Sequence, residues 1–202
     1  WSFGALPASA PQQAFRPPGH FFAEGAALAE GEIYLLTWRN ETVFVLNPDD
    51  LTPARRLSYD GEGWGLGWDG GRLWRSDGSA FLRPHRPGDF APAGAALRVH
   101  DDGREVRGLN ELEWDPATGL MLANVYESDL VAAIDLSDGR VRFWLDAAPL
   151  RRLAERDGLD RRLAPADVVL NGLALAPDGQ SLWLTGKFWP RLYQIAWPPN
   201  GA

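Results

Sequence analysis

Four polar residues and three aromatic ones carry the chemistry in this sequence: Glu24, Asn110, Asn171 and Lys187, with Trp38, Trp64 and Tyr126. A carboxylate beside a reacting nitrogen or oxygen can take up a proton and return it. Amide and ammonium groups can steady negative charge that develops on an oxygen. Aromatic rings can enclose the apolar stem of a bound side chain. Lys187 is the sole lysine against nineteen arginines. That contrast points to a position where a compact ammonium serves and a broad guanidinium fork would not.

These residues fall in register because the sequence repeats. Four segments align: Glu24–Ala29 with Glu32–Trp38, Trp64–Trp68 with Arg72–Gly78, Asn110–Trp114 with Gly119–Tyr126, and Asn171–Ala176 with Ser181–Lys187. Each reads as strand, Gly- or Asp-containing turn, strand, and is followed by a third apolar run such as Thr42–Leu46 or Leu130–Ile134. Up-and-down sheets of this kind, at a spacing of roughly 40–60 residues, predict the blades of a β-propeller. The last repeat stops after its third strand, so residues 1–20 are expected to add an outer strand. The first residue of each inner strand and the last of the second should be hairpin partners at one mouth of the central channel. Glu24, Trp64, Asn110 and Asn171 hold the first position, and Trp38, Gly78, Tyr126 and Lys187 the second. A few polar groups among aromatic walls make a small-molecule pocket. Trp68, Trp74, Trp114, Trp144 and Trp183 are expected to be buried core residues between blades. Leu150, Leu153, Ala154 and Leu163, with Pro149 early, predict a surface helix within 146–164.

Composition narrows the function classes. A chain of 202 residues, 45% of them apolar, fits one domain over 1–202 with a substantial core. A net charge of −7 argues against nucleic-acid backbone binding, and no apolar run is long enough to span a membrane. Trp1-Ser2-Phe3-Gly4 shows neither an initiating Met nor a signal pattern, so a processed or trimmed chain is expected. The absence of cysteine excludes disulfides, thiolate zinc sites and Cys nucleophiles. His20, His85 and His100 have no ligand spacing, so no metal site or histidine triad is predicted, and no Gly-rich loop cradles a phosphate. No cofactor is expected.

The motifs Phe22-Ala-Glu24-Gly25, Leu36-Thr-Trp38-Arg-Asn40, Gly61-Glu-Gly-Trp64-Gly-Leu66, Ser76-Asp-Gly-Ser79, Leu109-Asn-Glu-Leu-Glu113, Ala123-Asn-Val-Tyr126, Leu170-Asn-Gly172 and Thr185-Gly-Lys187-Phe-Trp-Pro190 resemble the plant-type glutaminyl-peptide cyclotransferases, which also occur in bacteria. The resemblance runs from about residue 20 to the C-terminus. It implies a five-bladed propeller, here with an abbreviated or incomplete first blade, that converts N-terminal glutamine of peptides to pyroglutamate and releases ammonia without a catalytic metal. It further implies Glu24 as the proton-transfer residue, Asn110 and Lys187 as the groups that bind and polarise the glutamine amide, and Phe22, Trp38, Trp64 and Tyr126 as substrate-binding residues. Tyr126 stands where the family commonly has a third Trp, and nothing before Glu24 reproduces the family's Phe-Thr-Gln-Gly motif. The partners implied are peptides or proteins beginning with Gln, acted on by a secreted or periplasmic monomer.

Two other readings come from different classes. Glu24, Asn110 and Asn171, with Asp77 as a fourth ligand, would suit the divalent-cation ring of a gluconolactonase-like hydrolase. Lys187 beside such a cation would be repulsive. A non-catalytic peptide-binding propeller would follow if the shortened first blade had disabled the site.

Overall fold

The computed structural model describes residues 14–160, 162–164 and 167–198. Its strands are β1 (Ala23–Ala29), β2 (Glu32–Thr37), β3 (Thr42–Leu46), β4 (Pro53–Ser58), β5 (Leu66–Trp68), β6 (Leu73–Arg75), β7 (Phe81–His85), β8 (Leu97–Arg98), β9 (His100–Asp101), β10 (Arg104–Glu105), β11 (Leu109–Asp115), β12 (Leu120–Val125), β13 (Leu130–Asp135), β14 (Val141–Asp146), β15 (Leu170–Leu175), β16 (Ser181–Gly186) and β17 (Tyr193–Ala196), with one helix, α1 (Ala148–Arg156). They form antiparallel meanders in the orders β1-β2-β3-β4, β5-β6-β7-β8, β11-β12-β13-β14 and β15-β16-β17. The fold is therefore all-β and propeller-like, with four blades and a short helix among the described residues. Short β9 and β10 pair with each other between the second and third blades, an element the repeat pattern does not reveal.

Sequence pattern explains each blade's layering. The central strands β3 and β13 are nearly continuous apolar runs, buried on both faces because blades cover them from either side. The outer strand β4 reads Pro-Ala-Arg-Arg-Leu-Ser and is largely exposed, charged as a free sheet edge should be. Inner strands lie side by side, β1 next to β5, β5 next to β11 and β11 next to β15. Three apolar cores fill the spaces between consecutive blades: one around Tyr34, Leu36, Leu66 and Phe90, one around Trp74, Leu109 and Met121, and one around Leu122, Leu170 and Leu184. Helix α1 adds Leu150 and Ala154 to the last of these, with Leu153 and Leu163 packed against it, as the spacing predicted, although the helix proper stops at Arg156.

Residues 1–13 lie outside the described residues, and 14–20 form no strand, so the outer strand expected from 1–20 does not appear in the described part. Instead Phe15 and Phe21 pack on Phe44, at ring distances of 5.1 and 5.0 Å. The tryptophan expectation also needs correcting. Of the five indoles placed between blades, only Trp74 is fully buried, while Trp68, Trp114, Trp144 and Trp183 are half-buried. Their size carries them to the blade margins, and one of them finds a polar partner there: Trp144 Nε1 donates to Asp101 Oδ2 at 3.0 Å. Two further indoles, Trp189 and Trp197, are buried, and their N–H groups are satisfied by the Val168 carbonyl and Asp115.

Candidate functional site

A bulge at the start of three inner strands creates the site. In β1 the register jumps between Ala23 and Ala26, in β11 between Leu109 and Leu112, and in β15 between Leu170 and Leu173. In each case two residues oppose one on the neighbouring strand, and the first of the two is Glu24, Asn110 or Asn171. A bulge bends the strand locally and re-aims a side chain. The predicted direct pairing is thus offset: Thr37, Val125 and Gly186 pair with Ala23, Leu109 and Leu170, and the residue after each closes the mouth. Trp38 N–H donates to Phe22 O at 2.9 Å, Tyr126 N–H to Gly108 O at 2.7 Å, and Lys187 N–H to Val169 O at 2.9 Å. The register reading put the right residues at the same end, and the bulge explains why they face the channel.

Together Phe22, Glu24, Trp38, Trp64, Asn110, Tyr126, Asn171 and Lys187 line a cavity of about 200 Å³. It is smaller than the roughly 300–1,000 Å³ typical of drug-sized ligands, a volume suited to one side chain. Every site residue predicted from the sequence is on this list. Trp64 meets Tyr126 edge-on at 5.4 Å and Trp38 meets Phe22 at 6.1 Å, so two aromatic pairs line the cavity. Phe22 is 61% exposed and forms the rim. The Lys187 ammonium lies 5.4 Å from the Tyr126 ring centre. Gly78, at φ 76°, is where Trp64 needs room, since a Cβ there would come within 2.6 Å of the indole.

The polar groups are unusually free. Burial pushes the Glu24 carboxyl above its ordinary range and the Lys187 charge pulls it partly back, yet the two do not form an ion pair. Asn110 is 3% exposed, and its Nδ2 is buried without a hydrogen-bond partner. An unpaired buried donor is costly, which is a reason to look for the group it is kept for. Asn110's backbone, by contrast, is pinned: its carbonyl accepts from Ser76 Oγ at 2.6 Å, and a side chain at Gly65 would collide with it. Asn124 fixes the same bulge, accepting from Glu111 N–H at 2.8 Å and donating to Leu170 O at 2.7 Å. Next to Asn110 on β11, desolvation pushes Glu111 up to about 7, with Glu24 and Glu113 adding to the rise and Lys187 opposing it. Ser76, Asn124 and Glu111 carry no signal in composition or spacing. Only the cross-blade pairing reveals them.

A second cavity, of about 690 Å³, lies among Tyr59, Asp60, Arg75, Asp77, Arg83, His85 and Phe90. Asp77 belongs here and not with Glu24, Asn110 and Asn171. It accepts from Ser79 and pairs with Arg83 at 2.9 Å, so it does not complete a cation ring at the mouth. His85 sits at 4.2 Å over Phe90, and burial drives it down to about 4 although the Phe90 carbonyl opposes the fall. Among the described residues no cluster of His, Asp or Glu is arranged to hold a metal, and no helix is long and apolar enough to cross a membrane.

A propeller-like fold with four blades among the described residues, and a carboxylate, an ammonium and an amide at an aromatic-walled channel mouth, finds its class by comparison. The family model described as glutamine cyclotransferase matches residues 6–197, and the chain belongs to that family. It is 35% identical over 176 residues to the glutaminyl-peptide cyclotransferase of Arabidopsis thaliana, covering 87% of this chain and 52% of the relative. The chain thus spans about half the length of that curated relative. The crystal structure of Myxococcus xanthus glutaminyl cyclase is similar at a TM-score of 0.79 and 37% identity, covering 88% of this chain and 73% of that one.

Proposed function

We propose that this protein converts the N-terminal glutamine of peptides to pyroglutamate with release of ammonia. The observation that carries the reading is the buried, unpartnered Asn110 Nδ2, which shares a side-chain-sized cavity with Glu24 and Lys187. In the reaction the substrate's α-amine attacks its own γ-carboxamide carbon, one C–N bond forms, and the bond to the amide nitrogen breaks. Both reacting groups belong to one residue, so the enzyme's task is to hold its folded rotamer. Phe22, Trp38, Trp64 and Tyr126 enclose the methylene stem. Glu24 takes the proton that the amine sheds and delivers it to the departing nitrogen, which leaves as ammonia. Burial raises the Glu24 carboxyl, which makes its carboxylate the stronger base for the amine's proton and brings its pKa nearer the working pH, where one group can both take up and return a proton. Asn110 Nδ2 and the Lys187 ammonium donate to the amide oxygen as it becomes negative.

Within this reading the ring is a five-bladed propeller whose first blade is incomplete in this sequence, residues 1–202 form one domain, and the protein is a secreted or periplasmic monomer that needs no metal. The family relationship supports these points, and the absence of cysteine rules out a thiolate-held metal. Incubation of a Gln-initiated peptide with the protein in the presence of a chelator should remove the mass of one ammonia. An unchanged peptide mass with folded protein would overturn the assignment, and loss of activity with the chelator would overturn metal independence.

A further inference from the structure

The two tryptophan walls are tied to one atom outside the cavity. Trp38 Nε1 donates to Glu62 Oε2 at 2.8 Å, and Trp64 Nε1 donates to the same oxygen at 3.0 Å. The other oxygen, Oε1, accepts from Arg39 Nε at 3.0 Å, and the Arg39 guanidinium lies 3.8 Å over the Trp38 ring. Trp38 follows β2 of one blade and Trp64 precedes β5 of the next, so the carboxylate bridges two blades. Its loop is itself held. The buried Arg75 donates to the carbonyls of Glu62 and Asp60, and Gly63 N–H donates to Trp38 O at 2.9 Å.

We propose that Glu62 is the positioning residue that fixes both indole walls of the cavity and thereby sets how tightly the substrate side chain is gripped. An indole has one N–H, so anchoring it fixes the ring's rotation about its last side-chain bond. A carboxylate acceptor makes each bond charge-assisted and stronger than a neutral one. Because one oxygen serves both rings, displacing either wall loosens the other. Arg39 neutralises the second oxygen and covers one face of Trp38, leaving the opposite face for the cavity. Glu62 does not line the cavity and touches no reacting atom. Its effect passes through walls that contact the substrate's stem equally before and during cyclisation, and such uniform contacts appear in KM rather than kcat.

The kinetic part rests on the proposed glutamine cyclisation, so the experiment carries a second readout that does not. With 15N-labelled indoles, Glu62→Ala should move upfield the Nε1–H resonances of Trp38 and Trp64, identified through Trp38→Phe and Trp64→Phe, while the rest of the ten stay in place. For a Gln-initiated peptide, KM should rise about tenfold and kcat change by less than about threefold, the size expected when hydrogen bonds to a charged acceptor are lost from a uniformly binding wall. Glu62→Gln, which keeps an acceptor oxygen without the charge, should fall between wild type and Glu62→Ala in both readouts. Unmoved indole resonances would overturn the proposal, as would a variant that only melts earlier at unchanged KM. Wild-type protein that turns over no peptide would fail the cyclisation reading alone, leaving the resonances to decide this one.

Discussion

The two cavities differ in what their polar groups have left to do. Around the larger one, most charged side chains are committed: Arg75 to two carbonyls and His85, His85 to the Phe90 carbonyl, Asp77 to Ser79 and Arg83. At the channel mouth, Glu24, Asn171 and Lys187 have no side-chain hydrogen bond among the described residues, and Asn110 Nδ2 is buried and unpaired. The larger space has the nearly closed accounting of scaffold, while the smaller holds polar groups without a side-chain partner among the described residues. Size alone points to the larger cavity, and the free polar groups point to the smaller.

That contrast breaks most sharply if mutations at the mouth cost stability and not rate. Glu24→Gln keeps the shape and hydrogen-bonding reach of the side chain but removes the base. We expect kcat to fall by about 10²–10⁴-fold, the usual worth of positioned proton transfer, with peptide binding and melting temperature retained. Since Glu24 must be ionised to accept the amine's proton and its pKa lies above the ordinary range, the acid limb of wild-type kcat/KM should also lie above that range. An active Glu24→Gln enzyme would move the proton shuttle elsewhere. Lys187→Ala should lower kcat by about 10²–10³-fold, as loss of one oxyanion donor does. Lys187→Arg should recover little, because the fork cannot occupy the space of a point charge. Steady-state ammonia release at saturating peptide measures both, and an unchanged rate would reduce Lys187 to part of the surface.

The opposite pattern is expected in the second cavity. Arg75→Met leaves the Asp60 and Glu62 carbonyls and His85 Nε2 without their donor, at about 1–3 kcal/mol for each group that stays buried. For a chain of this length each kcal/mol corresponds to about 2–4 °C in Tm, so thermal melting should drop visibly. The kcat of the remaining folded protein should hold, and any kinetic loss should enter through KM by way of the Glu62 loop. A collapse in kcat at normal stability would erase the distinction between the cavities.

How far the sequence foretold this depends on range. Glu24, Asn110, Asn171 and Lys187 were legible because each sits at a fixed place in a strand-turn-strand repeat, and hairpin pairing is local. The bulges were not legible: two residues opposing one is a property of the pairing, and Glu24-Gly25 looks like any other pair of strand residues until Ala26 is matched to Leu35. Glu62 was quoted within a motif yet given no role, since its partner Trp38 lies 24 residues back in a different blade. The half-buried Trp68, Trp114 and Trp183 show the reverse error, where residue type suggested full burial and blade-edge geometry denied it.

Glu111 tests whether the mouth's strain extends to the next residue on β11. Its carboxyl, in the folded protein, is raised to about 7, first by desolvation and then by Glu24 and Glu113, with the nearby Lys187 too weak an offset. Between the ordinary carboxylate pKa and about 7 the folded protein holds a proton that the unfolded chain has released. Folding is therefore favoured by this group at low pH, and the advantage disappears as the pH rises through about 7, where the ionised carboxylate must be kept desolvated. Glu111→Gln cannot ionise, so it should melt higher than wild type at pH 8 and by a smaller margin at pH 5. Melting curves of the two proteins at both pH values decide it: an equal difference at the two would mean that Glu111 is solvated, and that the unmet polar capacity of this site ends at Glu24, Asn110 and Lys187.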